Sequence, residues 1–229
     1  MIEQRERPNI LIAHPDPIVS AGLVAALSQN GTFEVYVHGV DNLGADGPLV
    51  DAVVSDYAGA LRLTHTNERK AWGVRGAARI LALTSNDREA DIRCAIELGV
   101  QGYLLVGGPL SELIDAVASV ARGVRFFSAA VAQRLADSLT REALTTREVD
   151  VLQLVVTGQP NKAIARSLRI ELATVKSHMS AIMRKLGASS RTDAARIAAA
   201  RGLLESACHT HQRAPASKPL SVEAAQAAL

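Results

Sequence analysis

Apolar positions along the first half of the chain follow two alternating periods. Short apolar runs at 9–13 (NILIA), 33–37 (FEVYV), 52–56 (AVVSD), 79–83 (RILAL) and 102–106 (GYLLV) read as buried strands. Between them the period lengthens to that of a helix. Within 17–29, Val19, Leu23, Ala26 and Leu27 share a face; within 110–122, Leu113, Ile114, Val117, Val120 and Ala121 do. A looser stripe of Ala90, Cys94, Ile96 and Leu98 marks 87–98, and the crossover 57–78 is the least regular. Five strands alternating with helices predict a doubly wound, flavodoxin-like parallel sheet covered on both faces. Function in such a sheet gathers at the carboxyl ends of the strands. The tips at His14, Asp56, Thr84 and Val106 are therefore expected to converge on one crevice.

The second half is helical throughout. A linker helix near 128–139, inside a connecting segment 126–143, leads to a unit that starts at Leu144. Thr145 and Glu148 stand at capping-box spacing, and Val149, Leu152, Leu154 and Val155 follow on one face. A short helix at 161–168, a turn, a longer helix ending at Gly187 and a last helix from Arg191 to Leu204 complete the unit. In the longer helix Val175, Met179, Ile182, Met183 and Leu186 form the core stripe. Ala173, Lys176, Ser177, Ser180 and Arg184 form a small, polar and basic face opposite. Two helices joined by a turn, the second with such a face, is the pattern of a helix that enters a DNA major groove.

Charge sharpens the division. Residues 1–128 hold 11 Lys/Arg and 15 Asp/Glu, whereas residues 129–229 hold 14 and 8, so the polyanion-binding half is the second. From Lys162 to Arg201 there are nine cations and two acids. No run is long and apolar enough for a membrane span, the start lacks a signal-peptide pattern, and two distant cysteines indicate no disulfide framework. These features point to a cytoplasmic protein. No nucleophile, metal-binding or phosphate-cradle motif supports an enzyme, and Cys208, His209 and His211 in the tail have no second cluster to complete a metal site.

The residues of the second half carry a specific resemblance. L-T-x-R-E from Leu144, G-x-x-N-K-x-I-A from Gly158, T-V-K-x-H from Thr174, R-K-L-G from Arg184 and S-R-T-x-A from Ser190 fall in register over 144–198. They resemble the LuxR-type helix-turn-helix. The resemblance implies a four-helix module at 144–205 that binds double-stranded DNA as a homodimer. It places Lys176, Ser177 and Ser180 on bases, and Lys162, Thr174, Arg184 and Lys185 on the backbone or groove edge. Ala195, Ala198 and Ala199 become the dimer contact. Glu171 stands where the family has a serine at the recognition-helix cap.

Residues 8–125 resemble a response-regulator receiver of the NarL/FixJ type. The shared strings are GLVAALSQNGTFEV, GYLL and ELIDAVASVARG. The resemblance places Asp56 at the phosphoacceptor position, Thr84 at the hydroxyl position and Tyr103 at the aromatic switch. The Mg-binding acid pair is His14-Pro15 here, with Asp16 one place on, and the lysine is Val106. Mg²⁺ prefers several oxygen ligands in octahedral array, so weak or absent Mg²⁺ binding and no other cofactor are expected. His14 either pairs with Asp56 as imidazolium or is an exposed loop histidine. The reading is a DNA-binding transcription regulator with an atypical receiver that works independently of phosphorylation. The alternatives are a conventional regulator phosphorylated on Asp56 by a histidine kinase, and a sensor whose receiver crevice holds a ligand or protein. Residues 206–229 read as a disordered tail.

Overall fold

A computed structural model of the chain describes residues 7–29, 31–39, 48–65 and 78–204. The tail, its Cys-His cluster and residues 66–77 of the irregular crossover lie outside the described residues.

The N-terminal domain is a parallel sheet of six strands in the order β2-β1-β3-β4-β5-β6. The strands are β1 (Asn9–Ala13), β2 (Glu34–Val37), β3 (Ala52–Ser55), β4 (Arg79–Thr84), β5 (Gly102–Leu105) and β6 (Phe126–Phe127). Five of them sit where the apolar runs predict. β6 corrects the five-strand expectation: its two residues pair with Gly102 and Tyr103, at the point where the linker was expected to begin. Successive side chains point to opposite faces of a strand. Leu11, Val53 and Ile80 thus join one core cluster, and Ile10, Ile12, Val54 and Leu81 the other. Burial on both faces is why these strands read as near-continuous apolar runs.

Helices α1 (Pro17–Gln29), α2 (Tyr57–Arg62), α3 (Glu89–Glu97), α4 (Leu110–Ala121) and α5 (Ala129–Leu139) cover the sheet and lead out of it. α2 forms the start of the crossover whose pattern was least regular. Its N-terminus is fixed by Asp56, whose carboxylate accepts the Gly59 amide at 2.9 Å. Gly59 must be glycine, since a Cβ there would lie 2.1 Å from Ser55 Oγ and 2.7 Å from Asp56 Oδ1. Cys94 is buried on α3, as its stripe suggests.

The C-terminal module packs α6 (Thr146–Val156), α7 (Asn161–Leu168), α8 (Leu172–Leu186) and α9 (Arg191–Arg201) around one core. The capping box closes both ways: Thr145 Oγ1 accepts the Glu148 amide at 3.3 Å, and Glu148 Oε2 accepts the Thr145 amide at 2.7 Å. Val151, passed over in the sequence pattern, is a core residue of α6 along with Leu152 and Val155. A left-handed Gly187 (φ 66°) ends α8.

The two domains meet along α3. Arg141 from the linker binds Glu89 at 2.5 Å, Arg93 donates to Ser138 at 2.9 Å, and Arg134 binds Asp87. Gly202, which caps α9, sits close enough to Arg88 that an added Cβ would lie 3.2 Å from it.

Candidate nucleic-acid interface and the crevice at the strand tips

β1 and β3 are neighbours, with Ala13 opposite Ser55, so His14 and Asp56 emerge side by side. They form no ion pair. His14 is half-buried, and its Nδ1 accepts the Asp16 amide at 3.1 Å. Asp56 is occupied with the cap of α2. The imidazolium–carboxylate expectation is thereby corrected in favour of a loop histidine held by its own turn. Asp16 Oδ1 accepts the amides of Ile18 at 2.8 Å and Val19 at 3.3 Å, so this carboxylate serves the first turn of α1. Among the described residues, no group of three or more His, Cys, Asp or Glu side chains is placed to hold a metal ion. Val106 lies at the tip of β5 with 53% of its surface exposed.

Thr84 and Tyr103 are brought together through one loop. Thr84 Oγ1 accepts the Asn86 amide at 3.1 Å, and the Tyr103 hydroxyl donates to the Asn86 carbonyl at 2.7 Å. Tyr103 is fully buried, and its ring meets Tyr57 edge-on with centroids 6.5 Å apart. The Tyr57 hydroxyl donates to Asp91 Oδ1 at 3.2 Å, and Asn86 Nδ2 donates to Asp91 Oδ2 at 3.0 Å. Burial first, then the Asp91 charge and hydrogen bond, raise the Tyr57 pKa. Burial first, then Tyr57 and Asp91, raise that of Tyr103. This Tyr57–Asp91–Asn86–Tyr103 network escaped the sequence reading. Its only signal was an acid inside the apolar stripe of 87–98.

The C-terminal module separates the two faces of α8 as the periodicity predicts. Val175, Met179, Ile182 and Leu186 are buried, with Met183 packed against them. Ala173, Thr174, Lys176, Ser177, Ser180 and Arg184 are exposed. Lys162 is exposed on α7, and with Arg166, Arg169, Glu171 and Thr174 it lines a groove beside the start of α8. Arg166 and Arg169 are basic groove residues that the motif comparison did not supply. Glu171 makes no side-chain cap bond, which leaves the amides at the head of α8 without one from that residue.

Two site residues belong elsewhere than expected. The Lys185 side chain is only 8% exposed; its ammonium lies 2.9 Å from Glu148 and donates to the Ala143 carbonyl at 3.1 Å. The Glu148 hydrogen bond is the largest cause raising the Lys185 pKa. Burial alone would raise Glu148, but the Lys185 ammonium and Thr145 outweigh it and hold the carboxyl low. Lys185 thus staples α8 to α6. Ala198 is fully buried in the module core, so it cannot contact a second copy. Ala195 packs partly against the same core, whereas Ala199 is exposed beside Arg196. Arg184, by contrast, is exposed and held by Glu142 of the linker at 2.6 and 3.3 Å.

Residues 142–198 match the family described as bacterial regulatory proteins, luxR family. The response regulator RamR of Streptomyces coelicolor is 32% identical over 205 residues, which span 86% of this chain and 98% of RamR. The transcriptional regulatory protein DesR of Bacillus subtilis is 33% identical over 194 residues, covering 81% of this chain and 94% of DesR. Among solved structures, the RcsB response regulator of Salmonella typhimurium superposes with a TM-score of 0.65 at 22% identity, covering 84% of this chain and all of that one. A structure of two RcsB dimers bound to two parallel DNAs superposes with a TM-score of 0.60 at 21% identity, covering 85% of this chain and 98% of that one. Among the described residues, no helix is long and apolar enough to cross a membrane.

Proposed function

The chain belongs to the NarL/FixJ-type response regulators with a luxR-family C-terminal domain, and on that premise we propose that it regulates transcription by binding double-stranded DNA as a homodimer, without an aspartyl-phosphate cycle in its receiver. The exposed face of α8 supports the DNA reading. Lys176, Ser177 and Ser180 present a flat polar surface to base edges, while Lys162, Thr174, Arg184, Arg166 and Arg169 flank it for phosphates. Arg196 and Ala199 on the outer side of α9 are the dimer contact, in place of the buried Ala198.

One observation carries the second part of the reading. Each acid at the strand tips is committed to a helix terminus, Asp16 to α1 and Asp56 to α2, and the tip of β5 offers Val106 instead of an ammonium. The residues present therefore do not fit a Mg²⁺ site, which needs several converging oxygens. Nor do Thr84 and Val106, at the tips of β4 and β5, supply a fixed cation for a phosphoryl group, whose transfer depends on charge stabilisation. His14 at the acid-pair position accepts the Asp16 amide through Nδ1 and offers no carboxylate.

The test is binding of the full chain to duplex DNA by fluorescence anisotropy, with and without Mg²⁺ and acetyl phosphate. The reading expects salt-dependent binding that the phosphodonor leaves unchanged, and an Asp56→Asn chain that binds as the wild type does. Binding that strengthens with acetyl phosphate, and loses that gain in Asp56→Asn, would restore the conventional phosphorylated regulator.

A further inference from the structure

A cavity of about 270 Å³ lies in the seam between the two domains, away from both the strand tips and the exposed face of α8. One wall is α3 of the receiver. The opposite side is apolar and comes from the linker and the C-terminal module: Leu144, Val149, Leu186 and Leu203. Three guanidinium groups line it as well, Arg93, Arg141 and Arg201, of which Arg93 donates to Ser138 at 2.9 Å. Arg141 is neutralised by Glu89 at 2.5 Å. Arg201, half-buried, has no hydrogen bond or ion pair with any described residue. Burial first, then the like charge of Arg141, work against its protonated form, and Glu89 only partly offsets them.

The other charges around the cavity are already engaged or face water. Glu89 serves Arg141 and, at 3.8 Å, Arg93; Glu142 serves Arg184 and Lys185. Glu97 is exposed at the rim. A partly desolvated cation that no described residue meets with a hydrogen bond or ion pair, set beside an apolar wall, is a site for an anion with an apolar body.

We propose that the seam cavity binds a small amphipathic carboxylate, whose carboxylate pairs with Arg201 and whose hydrocarbon covers Leu144, Val149, Leu186 and Leu203. A volume of about 270 Å³ is roughly nine waters' share of liquid, the size of a ligand of about ten non-hydrogen atoms. Such a ligand touches α3 on one side and the C-terminal module on the other. Its binding therefore favours the docked arrangement of the two domains by mass action.

Isothermal titration of the full chain with octanoate tests this directly. Octanoate should bind with one site per chain. Acetate, with the same head and almost no apolar body, should bind roughly a hundredfold more weakly or worse. Octylamine, with the same chain and the opposite charge, should give no binding at this site. Arg201→Gln should weaken octanoate about tenfold or more, the scale of a lost charge-assisted hydrogen bond, while Arg201→Lys retains most of the affinity. Circular dichroism of both variants reports that they are folded. No octanoate binding, equal binding by folded Arg201→Gln, or equal binding of octylamine would each overturn the proposal. The readout involves neither DNA nor phosphoryl transfer, so its failure leaves the regulatory reading untouched, and the reverse holds.

Discussion

Glu142→Gln should tighten DNA binding and steepen its salt dependence. The linker carboxylate holds the Arg184 guanidinium at 2.6 and 3.3 Å, so the two donors best placed for a phosphate are turned to an internal partner. Both side chains are more than half exposed, at 66% and 53%. An exposed pair of this kind is weak and exchangeable, so phosphate competes for Arg184 once Glu142 is neutral. The Arg184 hydrogen bond is the largest cause that lowers the Glu142 pKa, so the carboxylate stays charged at neutral pH and the latch is closed there. Each additional phosphate neutralised changes the slope of log affinity against log salt by about −0.9, hence about −1.8 for a dimer on two half-sites. Over a fourfold rise in salt, from 50 to 200 mM, the advantage of Glu142→Gln over wild type should shrink by roughly 3.5-fold per half-site and about twelvefold per dimer. Fluorescence anisotropy on one labelled duplex across that range measures both slopes. Arg184→Gln should then cost more in the Glu142→Gln background than in the wild type, and the cycle isolates the coupling. Parallel salt lines for wild type and Glu142→Gln would refute the latch, even if the variant bound more tightly at every salt concentration.

The structure makes three other expectations concrete. Lys185→Ala should lower the melting temperature of the C-terminal module, because it strands Glu148 and the Ala143 carbonyl; Lys162→Ala, at an exposed position flanking the groove, should leave melting unchanged and reduce the DNA salt slope by about 0.9 per half-site. Equal melting temperatures for the two variants would contradict the staple. Ala199→Glu should convert the dimer to a folded monomer in sedimentation, whereas Ala198→Glu should unfold the module, since Ala198 has no exposed surface; a folded Ala198→Glu monomer would return that residue to the dimer face. Tyr57 and Tyr103 have folded pKa values raised above their ordinary value, mainly by burial. Their contribution to stability is whole below about pH 10 and is lost as pH rises beyond it. Phenolate absorbance should therefore appear from fewer than the full set of tyrosines until the receiver unfolds in alkali, and complete ionisation of a folded chain at pH 11 would contradict the buried network.

Much of this architecture was legible because the residues state it locally. A strand buried on both faces reads as a near-continuous apolar run, and the ILIA of β1 and the ILAL of β4 show it without any partner in view. The capping box and the two faces of α8 are equally local, set by spacings of three and four residues. What escaped depends on contacts distant in sequence. Phe126-Phe127 is too short to carry a period, and becomes a strand only because β5 is there to receive it. Lys185 and Arg184 are adjacent basic residues with one composition and opposite fates. The first lies next to the buried Leu186 and meets Glu148, 37 residues away; the second faces outward. Ala198 suits either a close helix packing or a dimer face, and Ala194 one turn before it, also fully buried, shows which applies. The seam charges Arg141 and Glu89 are 52 residues apart, so no sequence pattern joins them.

At the strand tips the sequence carried the identities but not the engagements. That Asp56 and Asp16 stand near the crevice is visible in the pattern; that each is turned into its own helix terminus is visible only in the hydrogen bonds. The measurement that bears most directly on the regulatory account is the intact mass of the full chain after incubation with Mg²⁺ and acetyl phosphate, with Asp56→Asn alongside. The account predicts no added phosphoryl group in a protein that still binds DNA. A single phosphoryl gain in the wild type, absent from Asp56→Asn, would contradict it and return the receiver to two-component chemistry.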